Sequence, residues 1–151
     1  MKYASALLVG ILALALTAGS APEKTKERRY FKNEAAASAH LPFSEGVLVG
    51  DTFYVAGHIG HDLETMRPPD DPKEEARLLL DRIKATLAKA GLTMDDLVYV
   101  TVYCTDLSLY DDFNKVYRTY FSEEFPARAF VGSAPLLFGA HFEVQAIAVK
   151  R

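Results

Sequence analysis

An α+β sandwich is the fold class the sequence predicts: a mixed β-sheet with two helices packed on one face. Two observations predict it. Two stretches carry apolar residues at helical spacing, and the segments around them are short, rich in β-branched and aromatic residues, and bounded by turn signals. Helices interleaved with strands and gathered on one side make a layered unit rather than a bundle or a closed barrel. The chain has 151 residues, half of them hydrophobic and a quarter charged. That is one domain's worth of sequence, with enough apolar side chain to bury a core.

Residues 1–20 are expected to be a signal peptide and no part of the fold. Lys2 gives the positive start, and Ala6 to Ala18 is an apolar run of signal-core length, short for a membrane span. Thr17-Ala18-Gly19-Ser20-Ala21 is small-residue sequence of the cleavage type. A cut after Gly19 or Ser20 fits better than one after Ala21, which would leave Pro22 directly behind it. The alternative is an uncleaved anchor helix. Either way the domain is expected to be exported, to the periplasm or outside the cell, with no stable membrane association once the leader is cut. Residues 21–33 are charged and read as a flexible approach, in which Tyr30 and Phe31 are candidates to start an edge strand. The domain itself is assigned to residues 34–151.

Residues 45–57 read as a β-hairpin. Gly50-Asp51 is the turn signal, and Thr52-Phe53-Tyr54-Val55-Ala56-Gly57 is rich in strand formers. His58 to Asp71 reads as a long loop. Asp71-Pro72-Lys73-Glu74 is a helix start, with Asp as the cap and Pro in the first turn. Ala76, Leu79, Leu80, Ile83, Leu87 and Ala90 then recur at helical spacing, Arg77, Asp81, Lys84 and Lys89 take the other face, and Gly91 ends the run. Val98 to Thr105 reads as a central strand. Ser108 is expected to open a second helix, with Phe113, Val116, Tyr117 and Tyr120 as its apolar stripe. Strands over 128–133 and 141–149 complete the order. A sheet covered on one face leaves alternate residues among Val47, Phe53, Val55, Val100, Val102, Val131, Val144 and Ile147 needing cover on the other, whichever parity points there, and self-association is the simplest solution.

Net charge is −3, and loss of Lys2 with the leader leaves 16 basic against 20 acidic residues, or −4. Without a basic block or stripe, nucleic acid is an unsuitable partner, because binding its backbone depends on neutralising phosphates. The single cysteine, Cys104, excludes an internal disulfide and reads as a small buried hydrophobe inside its strand. His58 and His61 lie three apart, but no third ligand of matching spacing comes after them, so no metal is expected. Two residues near the end carry most of the chemistry. Arg128 offers a permanently charged, planar fork of donors suited to a carboxylate or phosphate. Glu143 stands between Phe142 and Val144 in a strand-like run, where a carboxylate needs a partner or a job. The plain alternatives are a structural ion pair or a side chain on the strand's wet side. Asn114 could point from its helix toward a cleft or into solvent.

Six stretches carry a resemblance. They are Leu41-Pro42-Phe43-Ser44-Glu45-Gly46 with the adjoining hairpin, Phe53-Tyr54-Val55-Ala56-Gly57-His58-Ile59-Gly60, Thr101-Val102-Tyr103-Cys104-Thr105-Asp106-Leu107, Asp112-Phe113-Asn114-Lys115-Val116-Tyr117, Phe125-Pro126-Ala127-Arg128-Ala129-Phe130-Val131, and Phe142-Glu143-Val144-Gln145-Ala146-Ile147-Ala148-Val149. Over residues 30–150 the chain resembles the reactive intermediate deaminase family (the RidA/YjgF group, once labelled endoribonuclease L-PSP). The resemblance implies a chorismate-mutase-like fold, a homotrimer, and sites in the clefts between subunits. It implies hydrolysis of 2-imino or enamine acids to 2-keto acids and ammonia, without metal or organic cofactor. By the same resemblance Arg128 grips the substrate carboxylate, Glu143 holds and activates the attacking water, and Asn114 and Gly57 lie near the site.

The chain also departs from the pattern. Phe43 stands where the family has tyrosine, Ala56 where it has serine, His58 where it has glutamine, Phe130 where it has a cysteine, and Gln145 where it has a second glutamate. Phe43, Ala56 and Phe130 remain candidate pocket residues, and they make the expected pocket more apolar, suited to a bulkier substrate or an altered activity. The competing expectations are a trimeric protein that binds small carboxylates without turnover, a ribonuclease, which the acidic balance opposes, and a structural trimer with a vestigial pocket.

Overall fold

The computed structural model describes residues 27–32, 41–122 and 124–151. The expected signal peptide lies outside the described residues. Among those described, no helix is long and apolar enough to cross a membrane.

The fold is α+β, as the sequence predicts. Among the described residues, six strands form one sheet in the order β1-β2-β3-β6-β4-β5. They are β1 (Arg28–Phe31), β2 (Gly46–Val49), β3 (Thr52–Ile59), β4 (Leu97–Cys104), β5 (Ala127–Gly132) and β6 (Phe142–Val149). Only β4 and β5 pair in parallel; every other pairing is antiparallel. Helices α1 (Pro72–Lys89) and α2 (Tyr110–Tyr117) cover one face.

Three boundaries differ from expectation. Residues 28–31 form the edge strand β1, which includes the two candidates Tyr30 and Phe31 but starts at Arg28, so the folded unit begins before residue 34. The Phe31 ring packs edge-on against the buried Phe53 ring at 5.2 Å, which ties the strand down. Strand β3 continues through His58 to Ile59, where a loop was expected. The second helix does not open at Ser108: Asp106 caps a short 3₁₀ turn over Leu107–Leu109, its carboxylate accepting from the Ser108 amide at 2.9 Å, and α2 begins behind it at Tyr110.

Helix α1 starts as its sequence dictates. The Asp71 side chain accepts from the Lys73 amide at 2.9 Å, Pro72 occupies the first turn, and Gly91, with φ of +74°, lies just beyond its end. Its buried stripe of Ala76, Leu79, Leu80, Ile83 and Leu87 meets Phe53, Val100, Val102, Phe142 and Val144 from the sheet. Each such large side chain contributes roughly 1.5–3 kcal/mol by leaving water.

Among the described residues, nothing covers the other face of the sheet. Tyr54 and Tyr99 are 48% and 43% exposed there, and with Thr101, Gln145 and Ile147 they line a shallow hollow of about 250 Å³.

Candidate functional site

The parallel pair at the sheet edge sets Arg128. Its register partner is Val100, a core residue on the helix face, so the arginine also points to that face. Since β5 is the last strand, the side chain reaches out beside α2 instead of into the core. Its Nη2 donates to Asn114 Oδ1 at 2.8 Å. The guanidinium lies 4.6 Å from the Tyr117 ring centre, 5.7 Å from Phe130 and 5.9 Å from Tyr110. Such contacts are worth roughly 0.5–2 kcal/mol each, depending on exposure, and they fix the plane of the fork. No carboxylate pairs with Arg128 among the described residues.

Asn114 is buried, not solvent-facing. It uses its one carbonyl oxygen on Arg128, which orients the arginine's remaining donors. Tyr117 comes three residues later on the same helix face. Its hydroxyl is buried with no hydrogen-bond partner among the described residues, and burial pushes the phenol up to about 12, with Arg128 opposing. It therefore stays protonated at any working pH. Asn114, Tyr117, Arg118, Phe125, Pro126 and Arg128 line a cleft of about 240 Å³. That is below the roughly 300–1,000 Å³ of drug-sized sites and suits a small ligand.

Glu143 sits on the opposite face. In β6 it is the register partner of Ile59 and Tyr103, while its neighbours Phe142 and Val144 point into the core. Its carboxylate lies over Gly57 so closely that a Cβ at residue 57 would stand 2.0 Å from Oε1. The cause is a β-bulge. Val55 pairs with Ala146 and His58 with Val144, so Ala56 and Gly57 share a single partner position, that of Gln145. A bulge bends the strand and re-aims the side chains beyond it.

His58 ties this bulge to α1. Its Nδ1 donates to the Ala56 carbonyl at 2.8 Å, and its Nε2 then accepts from the Thr86 hydroxyl at 3.1 Å. Burial holds the imidazole pKa below its ordinary value of 6.5, in keeping with a neutral ring. His61 is used differently: its ring stacks on Phe138 and its Nδ1 faces Arg82 at 3.1 Å. The Cys104 thiol is buried, donates to the Asp106 carbonyl at 3.0 Å, and is pushed up by that burial, which makes it a poor nucleophile.

The residues singled out in the sequence thus fall into two groups. Asn114, Arg128 and Phe130 meet on the helix side of β5, where the Phe130 ring packs against Tyr110 and Phe113. Ala56, Gly57 and Glu143 meet on the uncovered side of β3 and β6. Phe43 precedes β2, with half its surface exposed. One chain does not bring Arg128 and Glu143 into one pocket. Sequence reasoning missed Tyr117 and Arg118 in the cleft, although their spacing of three and four from Asn114 puts both on its side of the helix. It also missed the His58–Thr86 tie, which no local pattern announces.

Residues 33–150 match the sequence family described as Endoribonuclease L-PSP. The chain is 40% identical over 110 residues to a RutC family protein of Pyrococcus abyssi, which covers 72% of this chain and 87% of that one. It is 36% identical over 121 residues to an Escherichia coli K12 protein named 2-iminobutanoate/2-iminopropanoate deaminase, covering 78% of this chain and 94% of that one. Its fold is similar to the crystal structure of the YjgF gene product of Escherichia coli, with a TM-score of 0.73 and 34% identity, covering 82% of this chain and 99% of that one.

Proposed function

Because the chain belongs to the endoribonuclease L-PSP family, the reactive intermediate deaminase group, we propose that it hydrolyses 2-imino acids to 2-keto acids and ammonia. The observation that carries this reading is the Arg128 guanidinium: held by Asn114, framed by rings, and left without a carboxylate among the described residues of its own chain. A bound substrate carboxylate supplies the missing anion in two-point geometry. The imine carbon is already electrophilic, so a fixed orientation and one water-activating carboxylate suffice. Water adds to the C=N carbon as Glu143 takes its proton. The resulting carbinolamine expels ammonia, its nitrogen having gained protons, and the remaining hydroxyl becomes the keto oxygen.

The opposite-face placement of Arg128 and Glu143 adds a requirement. The reading calls for Arg128 of one chain to face Glu143 of another, so the active form is an oligomer, a homotrimer by family resemblance. The uncovered sheet face is the surface we assign to that association. The leader-like composition of residues 6–18 supports an exported protein working in the periplasm or outside the cell.

The test is imine hydrolysis by the domain, with imino acids generated by an amino-acid oxidase and followed by semicarbazide trapping. Arg128→Ala is expected to lower kcat/KM roughly 10- to 150-fold, the loss of about 1.5–3 kcal/mol from a charge-assisted bond. Glu143→Gln should lower kcat by about 10²-fold or more. No acceleration from the assembled wild type would sink the reading. One observation favours a second reading, carboxylate binding without turnover: the Arg128 cleft is complete in one chain, whereas Glu143 is remote from it. Saturable keto-acid binding without ammonia release would select it.

A further inference from the structure

The cleft beside Arg128 holds a second cation that the deaminase reading does not use. Arg118 lies one helical turn beyond Asn114 and lines the same cleft, and its side chain makes no ion pair or hydrogen bond among the described residues. The Asn114 side chain adds to this: it gives its carbonyl oxygen to Arg128, which leaves its amide nitrogen as a donor. No carboxylate lines the cleft among the described residues. Two arginines therefore line one small cleft, and an anionic ligand entering it can meet both.

We infer that Arg118 and Arg128 together select a ligand with two acidic groups: the imine of a dicarboxylic amino acid, or its keto-acid product. Arg128 takes the carboxylate next to the reacting carbon, since Asn114 and the rings fix its fork. Arg118, on the rim and free to move, takes the carboxylate at the far end of the chain. Phe125 and Pro126 cover the carbons between them. Arg118 is thus a specificity-determining residue. The inference rests on the deaminase reading for its reaction, but not for its ligand class.

Two measurements separate the two ideas. In the first, kcat/KM is measured for 2-iminoglutarate and 2-iminobutanoate with wild type, Arg118→Gln and Arg118→Lys. The expected result is a preference for 2-iminoglutarate that falls about tenfold or more in Arg118→Gln, mainly through KM, and is largely kept by Arg118→Lys. In the second, binding of 2-oxoglutarate and 2-oxobutanoate is measured by calorimetry on the same proteins. Tighter binding of 2-oxoglutarate that depends on Arg118 supports the two-anion cleft even if no imine is hydrolysed. Hydrolysis with no preference between the two imines overturns it and leaves the deaminase reading intact. Equal loss toward both acids in Arg118→Gln also overturns it. So does a change in thermal stability alone, which would mark Arg118 as a cation that only complements the carbonyl end of α2.

Discussion

Glu75 is a carboxylate in a place that would otherwise hold a leucine. It is fully buried on α1 and accepts from the His141 amide at 2.7 Å, the Phe142 amide at 3.0 Å and His141 Nδ1 at 2.6 Å. It therefore clamps His141 and Phe142, the two residues directly before Glu143 at the start of β6. Glu75→Ala leaves two backbone donors without acceptors, at about 1–3 kcal/mol each, and urea unfolding should register a loss of roughly 3 kcal/mol or more. Gly57 is the contrasting case. A methyl group there collides only with the mobile end of Glu143, so Gly57→Ala should change stability by no more than about 0.5–1 kcal/mol. It should still displace the carboxylate by the order of 1 Å and lower kcat by about 10²-fold. Equal loss of folding and activity would show that Gly57 serves the strand rather than Glu143.

At the scale of elements, the tie between the β3 bulge and α1 depends on a neutral imidazole. A histidine held neutral by burial takes up its proton less readily in the folded chain than in the unfolded one. Below its ordinary value of 6.5 the unfolded chain gains that proton first. Stability therefore rises with pH through this window: the contribution is full above 6.5 and is lost as pH falls toward the lower folded value. Burial lowers His61 as well, so the diagnostic quantity is the difference between proteins. His58→Asn should show a shallower fall in melting temperature than wild type between roughly pH 6.5 and 5. Identical slopes would rule the tie out as a pH-sensitive element. The elements themselves were legible. Helix α1 with its Asp71 cap and Gly91 stop, the Gly50-Asp51 turn and the dense β-formers of β4 all arise from local chemistry. The bulge, the β1 pairing and the Glu75 clamp were not legible, because each depends on residues far apart in the sequence that only the folded sheet brings together.

For the whole molecule, the sheet supports two unlike surfaces. Arg128 and Glu143 were each identifiable from residue type and neighbours. Their separation was not, since strand parity and the parallel placement of β5 decide it. The shared-site reading makes a direct prediction. Arg128→Ala and Glu143→Gln chains, each strongly impaired alone, should regain part of the wild-type rate when unfolded and refolded together, because some sites then receive both intact residues. An Ile147→Glu chain, charged on the uncovered face, should sediment as a smaller species and lose activity while keeping its circular dichroism. Full activity from the small species would place the whole site in one chain.

The two-faced sheet also has a genetic consequence. If every site draws its arginine from one chain and its glutamate from the next, a defective copy spoils more than its own share. A chain with both substitutions disables the site on each side of it. Co-expressed with a normal gene, such an allele would behave as dominant, cutting total activity well below the half that simple dosage gives. Either single substitution would be milder.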